Sequence, residues 1–222
     1  MLLALDTSTQ YAGIALYEGA QVIGEAIWRT QNHHTVEVAP ALQDLMNRCG
    51  VRTADLKAIG VALGPGSFTS LRIGLALAKG LALAAKIPLI GIPTFDIFTA
   101  AQPVQDLPLV VTLQAGRGRL AVGRYQPKGN RWESQSEPQV MSVEELAQSI
   151  ETPTLVCGEL NAAERVTLAR KRRLVILASP ASSLRRPSYL AELAWKRWRS
   201  NKLDDPIRLA PIYLSTAEGV TV

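Results

Sequence analysis

The segment from Ile59 to Lys86, IGVALGPGSFTSLRIGLALAKGLALAAK, limits the fold more than any other stretch of the chain. Ile59 to Leu63 is a short continuous apolar run, the pattern of a strand buried on both faces. Gly64-Pro65-Gly66-Ser67-Phe68 breaks that run, and a long helix is predicted from Thr69 to Lys86. Leu71, Ile73, Leu75, Leu77, Leu81 and Leu83 point all round this helix, so it must be covered on every side. Gly74, Ala78 and Ala82 form one stripe of small residues, and Ala76, Gly80 and Ala84 form another. Glycine inside a helix costs about 1 kcal/mol relative to alanine, which calls for a closely approaching neighbour. Packing on the domain's own sheet accounts for one face but not for both. A subunit interface is therefore expected, with Gly74, Ala78 and Ala82 against a helix of another chain.

The elements around this segment come in a definite order. Leu2 to Leu5, Ala12 to Tyr17 and Gln21 to Trp28 read as three strands of an antiparallel meander. Thr35 to Arg48 has helical spacing, with Val38, Leu42, Leu45 and Met46 on one face and Pro40 near the first turn. Leu89 to Ile92 is another strand, and a short helix follows from Thr94. After a linker-like stretch from Ala101 to Pro108 the order begins again. Leu109 to Leu113 and Leu120 to Tyr125 are strands, with Trp132 to Val140 pairing beside them. Ser142 and Glu145 make a capping-box signature for a helix to Ile150. Thr154 to Cys157 and Leu174 to Ala178 are strands around an Arg-rich helix, and Pro187 opens the last helix, to Trp198. The pattern predicts an α/β chain of two similar domains, 1–101 and 102–222, each a mixed sheet with helices outside. The last helix and tail are free to pack back on the first domain.

Composition adds bounds. The opening apolar run, Leu2 to Leu5, is too short for the core of a signal peptide. The longest apolar region, Leu71 to Ala85, carries Arg72 and Lys79, so no membrane span is expected. Cys49 and Cys157 form neither a disulfide framework nor a zinc pattern and read as reduced thiols of a cytoplasmic protein. The net charge of +5 is uneven: between Arg165 and Arg199 ten basic residues face a single acid, Glu192. Arg170, Lys171, Arg172 and Arg173 are the candidates for contact with an anionic partner, against the alternative of a solvated basic face.

The Ile59–Lys86 segment resembles the signature of the TsaB/YeaZ family, a strand followed by GPGSFTGLRIG and a helix with AKGLA, except that Ser70 replaces a glycine. LALDTST at the start, His34-Thr35 with Pro40, and Ile90-Gly91-Ile92-Pro93-Thr94 resemble three further blocks. Beyond the linker the likeness is weaker. Gln114 replaces an acid in LQAGRGRLAVGRY, and Ser215 replaces an arginine after Pro211-Ile212-Tyr213-Leu214. The resemblance implies an actin/Hsp70-like (ASKHA) fold of two RNase H-like domains. It also implies a non-catalytic scaffold for threonylcarbamoyl transfer to adenosine in tRNA, bound to a larger TsaD-type catalytic paralogue, joined by a TsaE-type ATPase and meeting tRNA through the complex. The paralogue's surface is then expected on Val36, Val38, Ala41, Leu42 and Leu45 of one helix and Leu71, Gly74, Leu75, Ala78, Leu81 and Ala82 of the other. Pairing of the isolated chain with itself stays open, as does nucleotide at the interface.

Enzymatic alternatives rest on a few residues. Gly64, Pro65, Gly66, Ser67, Phe68 and Thr69, with Arg72 one turn on, lead into a helix N-terminus that suits an anion. They match neither a Walker loop nor GxGxxG, and a tight turn capped by Ser67 or Thr69 is the favoured reading. Asp6-Thr7-Ser8-Thr9 stands where actin-like kinases hold their first phosphate loop, but Gln114 to Arg119, the place of the second, has no carboxylate. Asp6 is therefore expected as a turn residue in a degenerate phosphate loop, with no cofactor. The catalytic paralogue's two metal-binding histidines fall on Thr94 and Phe98, so no metal is expected. His33 and His34, adjacent on a helix, make no metal pair, and a peptidase would lack a G-x-S-x-G elbow. An actin-like ATPase or kinase, and a peptidase acting on the paralogue, are the rival functions.

Overall fold

The computed structural model describes residues 1–31 and 33–214. The chain forms two compact units, Met1–Ile97 with Arg186–Ile212, and Phe98–Arg185 with 213–214.

In the first unit β1 (Leu2–Asp6), β2 (Tyr11–Tyr17) and β3 (Val22–Arg29) form the antiparallel meander. After α1 (His34–Arg48), β4 (Ala58–Gly64) runs parallel to β1; after α2 (Phe68–Ala85), β5 (Leu89–Pro93) runs parallel to β4. The order is β3-β2-β1-β4-β5. Every residue of β1 and β4 is buried, because helices cover both faces of the sheet. Leu3, Leu5, Ile59 and Val61 face Val38 and Leu42 of α1 and Leu75, Ala78 and Ala82 of α2. Their neighbours Leu2, Ala4, Ala58 and Ala62 face Leu190, Ala191 and Ala194 of α6 (Pro187–Arg199).

The return of α6 to the first sheet changes the predicted boundary. Division falls after Ile97, inside α3 (Thr94–Ala101), and residues Arg186–Ile212 rejoin the first unit. The cause is the apolar second face of the sheet, since α1 and α2 both pack on the first. Contact is close: a Cβ on Gly60 would lie 2.7 Å from Ala194 Cβ. Beyond α6, Asp204 Oδ2 accepts from the Gly91 N–H (2.8 Å), and the Ile212 N–H donates to Leu63 O (2.7 Å). This return covers the β5 edge, which would otherwise offer unpaired backbone.

The second unit repeats the topology. β6 (Leu109–Gln114), β7 (Leu120–Lys128) and β8 (Arg131–Ser134) are antiparallel, and β9 (Gln139–Met141) also pairs with β7. After α4 (Val143–Ser149) comes β10 (Thr154–Gly158), parallel to β6; after α5 (Ala162–Ala169) comes β11 (Val175–Leu177), parallel to β10. The order β11-β10-β6-β7-β8 is that of the first sheet, strand for strand. The capping box is present, with Glu145 N–H on Ser142 Oγ (3.1 Å) and Ser142 N–H on Glu145 Oε2 (2.7 Å). Two local expectations are corrected. Trp132 to Val140 is two short strands with a break, and Arg170 to Arg173 lie in the turn after α5, not in the helix.

By length and composition α2 could cross a membrane; here its Leu71, Leu75, Ala78 and Ala82 are core residues. Both cysteines are free, and burial pushes the Cys157 thiol up to about 12, which keeps it protonated.

Candidate functional site

The Asp6–Thr9 segment and the Gly64–Ser67 loop form one buried polar cluster. Asp6, Thr7, Ser8 and Thr9 are all buried, as are His34, Ser70 and Thr94. Asp6 Oδ1 accepts from the Ser8 N–H (2.9 Å) and the Ser8 hydroxyl (2.8 Å), the local turn that Asp6 was expected to make. Since the Ser8 hydrogen goes to the carboxylate, the Thr94 hydroxyl donates to Ser8 Oγ (2.9 Å) while Thr94 Oγ1 accepts from the Gly64 N–H (3.0 Å). The Ser67 N–H donates to Ser8 O (2.7 Å), and Thr7 Oγ1 donates to Ser70 O (2.7 Å). Gly66 allows this docking, because a Cβ there would lie 2.1 Å from Ser8 O. Gly64, at φ +110°, holds the turn itself.

The start of α2 is capped within the cluster. Ser67 Oγ accepts from the Ser70 N–H (3.4 Å) and from the Ser70 hydroxyl (3.0 Å). Ser70, the departure from the family glycine, thus fastens the cap and also stands 3.4 Å from His34 Nδ1. His34 Nε2 contacts Thr9 O (3.0 Å); a carbonyl only accepts, so Nε2 carries the hydrogen. Burial holds the His34 pKa below the ordinary histidine value, against the hydrogen bond to Thr9 and the charges of Glu37 and Asp6. His33 is exposed, 3.8 Å from Glu37, so the two histidines do different work. Thr94 and Phe98 are both fully buried; the first docks a loop, and the second is a core ring with Arg185 5.6 Å from its centroid.

The expected partner surface divides. Val38, Leu42, Leu45, Leu71, Gly74, Leu75, Ala78 and Ala82 are buried in the first unit's own core, which corrects their assignment to a subunit interface. The reason is the stripe of small residues. Gly74 sits on Thr7, Ala78 and Ala82 sit on the sheet, and the close neighbour is the chain itself. Ala41 and Leu81 are half-buried, while Val36 is 68% exposed. The second stripe, Ala76, Gly80 and Ala84, faces outward, with open space around Gly80. Beside it Leu83 is 81% and Phe68 41% exposed, and the Arg72 guanidinium lies 3.8 Å over the Phe68 ring. Phe68 and Arg72 had been read only as part of the loop motif. The outward stripe was legible as a second row of small residues, but nothing in the spacing says which row meets the sheet. A shallow groove of 550 Å³ lies at the start of α1, lined by Trp28, Arg29, Gln31, His33, Glu37, Ala41 and Asp44.

In the second unit the Gln114 side chain donates to Glu164 Oε2 (2.8 Å) and, at 3.4 Å, to Glu159 O. Glu164 is buried and also accepts from the Asn161 N–H (2.7 Å). Sequence reading missed Glu164; its only signal was a second capping box, Asn161 with Glu164.

Residues 26–201 match the family model described as TsaD: tRNA N6-adenosine threonylcarbamoyltransferase. The tRNA threonylcarbamoyladenosine biosynthesis protein TsaB of Bacillus subtilis is 33% identical over 225 residues, covering 98% of this chain and 95% of the relative. The chain belongs to the TsaB family. The TsaB of Escherichia coli is 38% identical over 101 residues, 46% of this chain and 42% of that protein. A tRNA N6-adenosine threonylcarbamoyltransferase of Trichlorobacter lovleyi is 32% identical over 137 residues, 58% of this chain and 39% of that one. In fold, YeaZ from Pseudomonas aeruginosa superposes with a TM-score of 0.76 at 23% identity, over 96% of this chain and 99% of that one. The ethanolamine utilization protein EutJ from Carboxydothermus hydrogenoformans gives 0.53 at 13% identity, over 86% and 88%. The duplicated sheet order is thus the actin/Hsp70-like fold. Within the TsaB pattern, the departures at Ser70 and Gln114 are both absorbed by new hydrogen bonds, and Ser215 lies outside the described residues.

Proposed function

We propose that this chain is the non-catalytic partner subunit of a TsaD-type transferase in the synthesis of threonylcarbamoyladenosine in tRNA. The observation that carries the proposal is the outward face of α2, with Phe68 41% and Leu83 81% exposed along the Ala76, Gly80, Ala84 row, together with Val36, 68% exposed on α1. Small residues let a partner helix approach closely, and the flanking large residues bury against it. The same strip would pair two copies when the paralogue is absent. In the Asp6–Thr9 segment the Asp6 carboxylate holds Ser8, Thr7 donates to Ser70 O and Ser8 O accepts from the Ser67 N–H, which supports a role without nucleotide chemistry. A TsaE-type ATPase and a cytoplasmic location belong to the same reading.

The test is Leu83→Glu, with Val36→Asp as a second variant, in co-purification and affinity measurements with the TsaD-type paralogue. Burying a leucine side chain is worth about 1.5–3 kcal/mol, so affinity should fall by roughly 10- to 150-fold with an unchanged melting temperature. Wild-type affinity in both variants would remove the strip from the interface. Stoichiometric ATP binding by the isolated chain, or cleavage of the paralogue by it, would replace the proposal with one of the enzymatic rivals.

A further inference from the structure

The ten basic residues between Arg165 and Arg199 do not form one population. Four are fixed by the fold: Arg165 donates to Ala178 O, Arg185 pairs with Glu159, Arg186 with Glu25, and Arg197 with Asp204 and Gly91 O. They also divide between the two units, since Arg186 and the cations of α6 belong to the first. Arg170, Lys171, Arg172 and Arg173 are different. Arg170, Arg172 and Arg173 are exposed, Lys171 is half-buried, and among the described residues none of the four side chains has an ion-pair or hydrogen-bond partner.

Their backbone, by contrast, is firmly held. Arg170 N–H donates to Thr167 O and Lys171 N–H to Leu168 O, while Lys171 O accepts from Leu174 and Val175. Leu168 and Val175, on either side, are buried in the second unit's core. The turn therefore presents four adjacent like charges beside a backbone hydrogen-bonded at Arg170 and Lys171. They repel one another and do no work inside the fold. Three are guanidiniums, whose planar fork matches phosphate oxygens.

We infer that the Arg170–Arg173 turn is a contact for the phosphate backbone of a folded RNA. The inference rests on the proposed role in tRNA modification, which supplies a polyanion as the substrate class. It predicts affinity without sequence preference, because cations on phosphates position the nucleic acid and do not read its bases.

The experiment uses the full chain, alone and in complex with the TsaD-type paralogue. Unmodified tRNA binding is followed by anisotropy over a series of KCl concentrations. The variant is Arg170→Ala, Lys171→Ala, Arg172→Ala and Arg173→Ala together; because none of these side chains has an ion-pair or hydrogen-bond partner among the described residues, its melting temperature should stay close to the wild type's. Each lost phosphate contact lowers the slope of log K against log salt by roughly 0.7–0.9, so the slope should flatten by roughly 3. A second variant with lysine at the three arginine positions should keep most of the slope. An unchanged slope in the alanine variant, with paralogue binding intact, would overturn the inference and leave the proposed function standing. A variant that keeps tRNA binding but loses the paralogue, or loses binding to phosphatidylserine vesicles instead, would overturn it too and assign the turn to a protein or a lipid surface. Failure of the wild-type chain to bind the paralogue at all would sink the proposed function, whatever the slope.

Discussion

Gly74 of α2 lies directly against Thr7 at the end of β1: a Cβ on Gly74 would stand 2.1 Å from Thr7 Oγ1 and 3.2 Å from Thr7 Cβ. Thr7 Oγ1 also donates to Ser70 O at 2.7 Å, so the threonine cannot swing aside without giving up that bond. The helix and the first strand meet where glycine leaves just enough room.

Gly74→Ala and Ala78→Leu should therefore act on stability. Ala78 is fully buried, and overpacking of this kind typically costs about 1–3 kcal/mol. For a chain of this size that is roughly 2–12 °C in melting temperature. Affinity of the surviving folded protein for the TsaD-type paralogue should stay near wild type. The paired measurement is thermal melting at several concentrations and a binding titration; lost affinity without lost stability would return this stripe to the interface.

His34 should make stability depend on pH. Its folded pKa lies below the ordinary value because the ring is buried. The unfolded chain then binds the proton more readily than the folded one, so stability is complete above about 6.5 and is lost as pH falls below it. His34→Gln removes the titration and can keep a donor for Thr9 O. Its melting temperature should change less than the wild type's between pH 7.5 and 5. Parallel curves would show that other groups carry the acid sensitivity.

The Arg185–Glu159 pair should be costly to break. The bond is 2.8 Å, and the Arg185 side chain is 1% exposed. Arg185→Ala leaves Glu159 without its cation, and breaking a buried pair from one side typically costs about 3–5 kcal/mol. Replacing both with apolar residues, Arg185→Met with Glu159→Leu, should cost much less than the single change. Denaturant unfolding of the three proteins checks this, and an exposed-pair result, below about 1 kcal/mol for Arg185→Ala, would contradict the burial.

These contacts mark where sequence reading stopped. The strand run Ile59–Leu63, the break at Gly64, the Ser142–Glu145 box and the repeated order of elements were all legible, because each is a local signal of period, turn or cap. The turn role of Asp6 was legible as well, since the lack of a carboxylate from Gln114 to Arg119 left it the local backbone N–H groups to bond. Which small-residue row of α2 met the sheet was not, since Gly74-Ala78-Ala82 and Ala76-Gly80-Ala84 are equivalent by spacing and differ only in their distance from Thr7. Nor could the basic run be sorted into fixed and free members, because the carboxylates of Glu25, Glu159 and Asp204 arrive from distant positions.

Gln114 gives a last test, because it stands where the family pattern has an acid. Its amide donates to Glu164 Oε2 at 2.8 Å, and Glu164 is only 5% exposed. Gln114→Glu keeps the size and shape but replaces the donor with a second carboxylate facing the first. The loss of that bond to a buried charged group should cost about 1–3 kcal/mol, and repulsion between like charges adds to it. The introduced acid should have its pKa raised in the folded state, so the folded variant holds a proton that the unfolded chain has released. Its deficit should then be largest near pH 7 and shrink as pH falls toward 5, opposite in direction to the His34 effect. Adding Glu164→Gln restores a donor facing a carboxylate and should recover much of the loss at pH 7. Denaturant midpoints of the single and double variants at both pH values check the argument. A deficit independent of pH, or one that Glu164→Gln leaves untouched, would mean that the contact between Gln114 and Glu164 does not govern the end of β6.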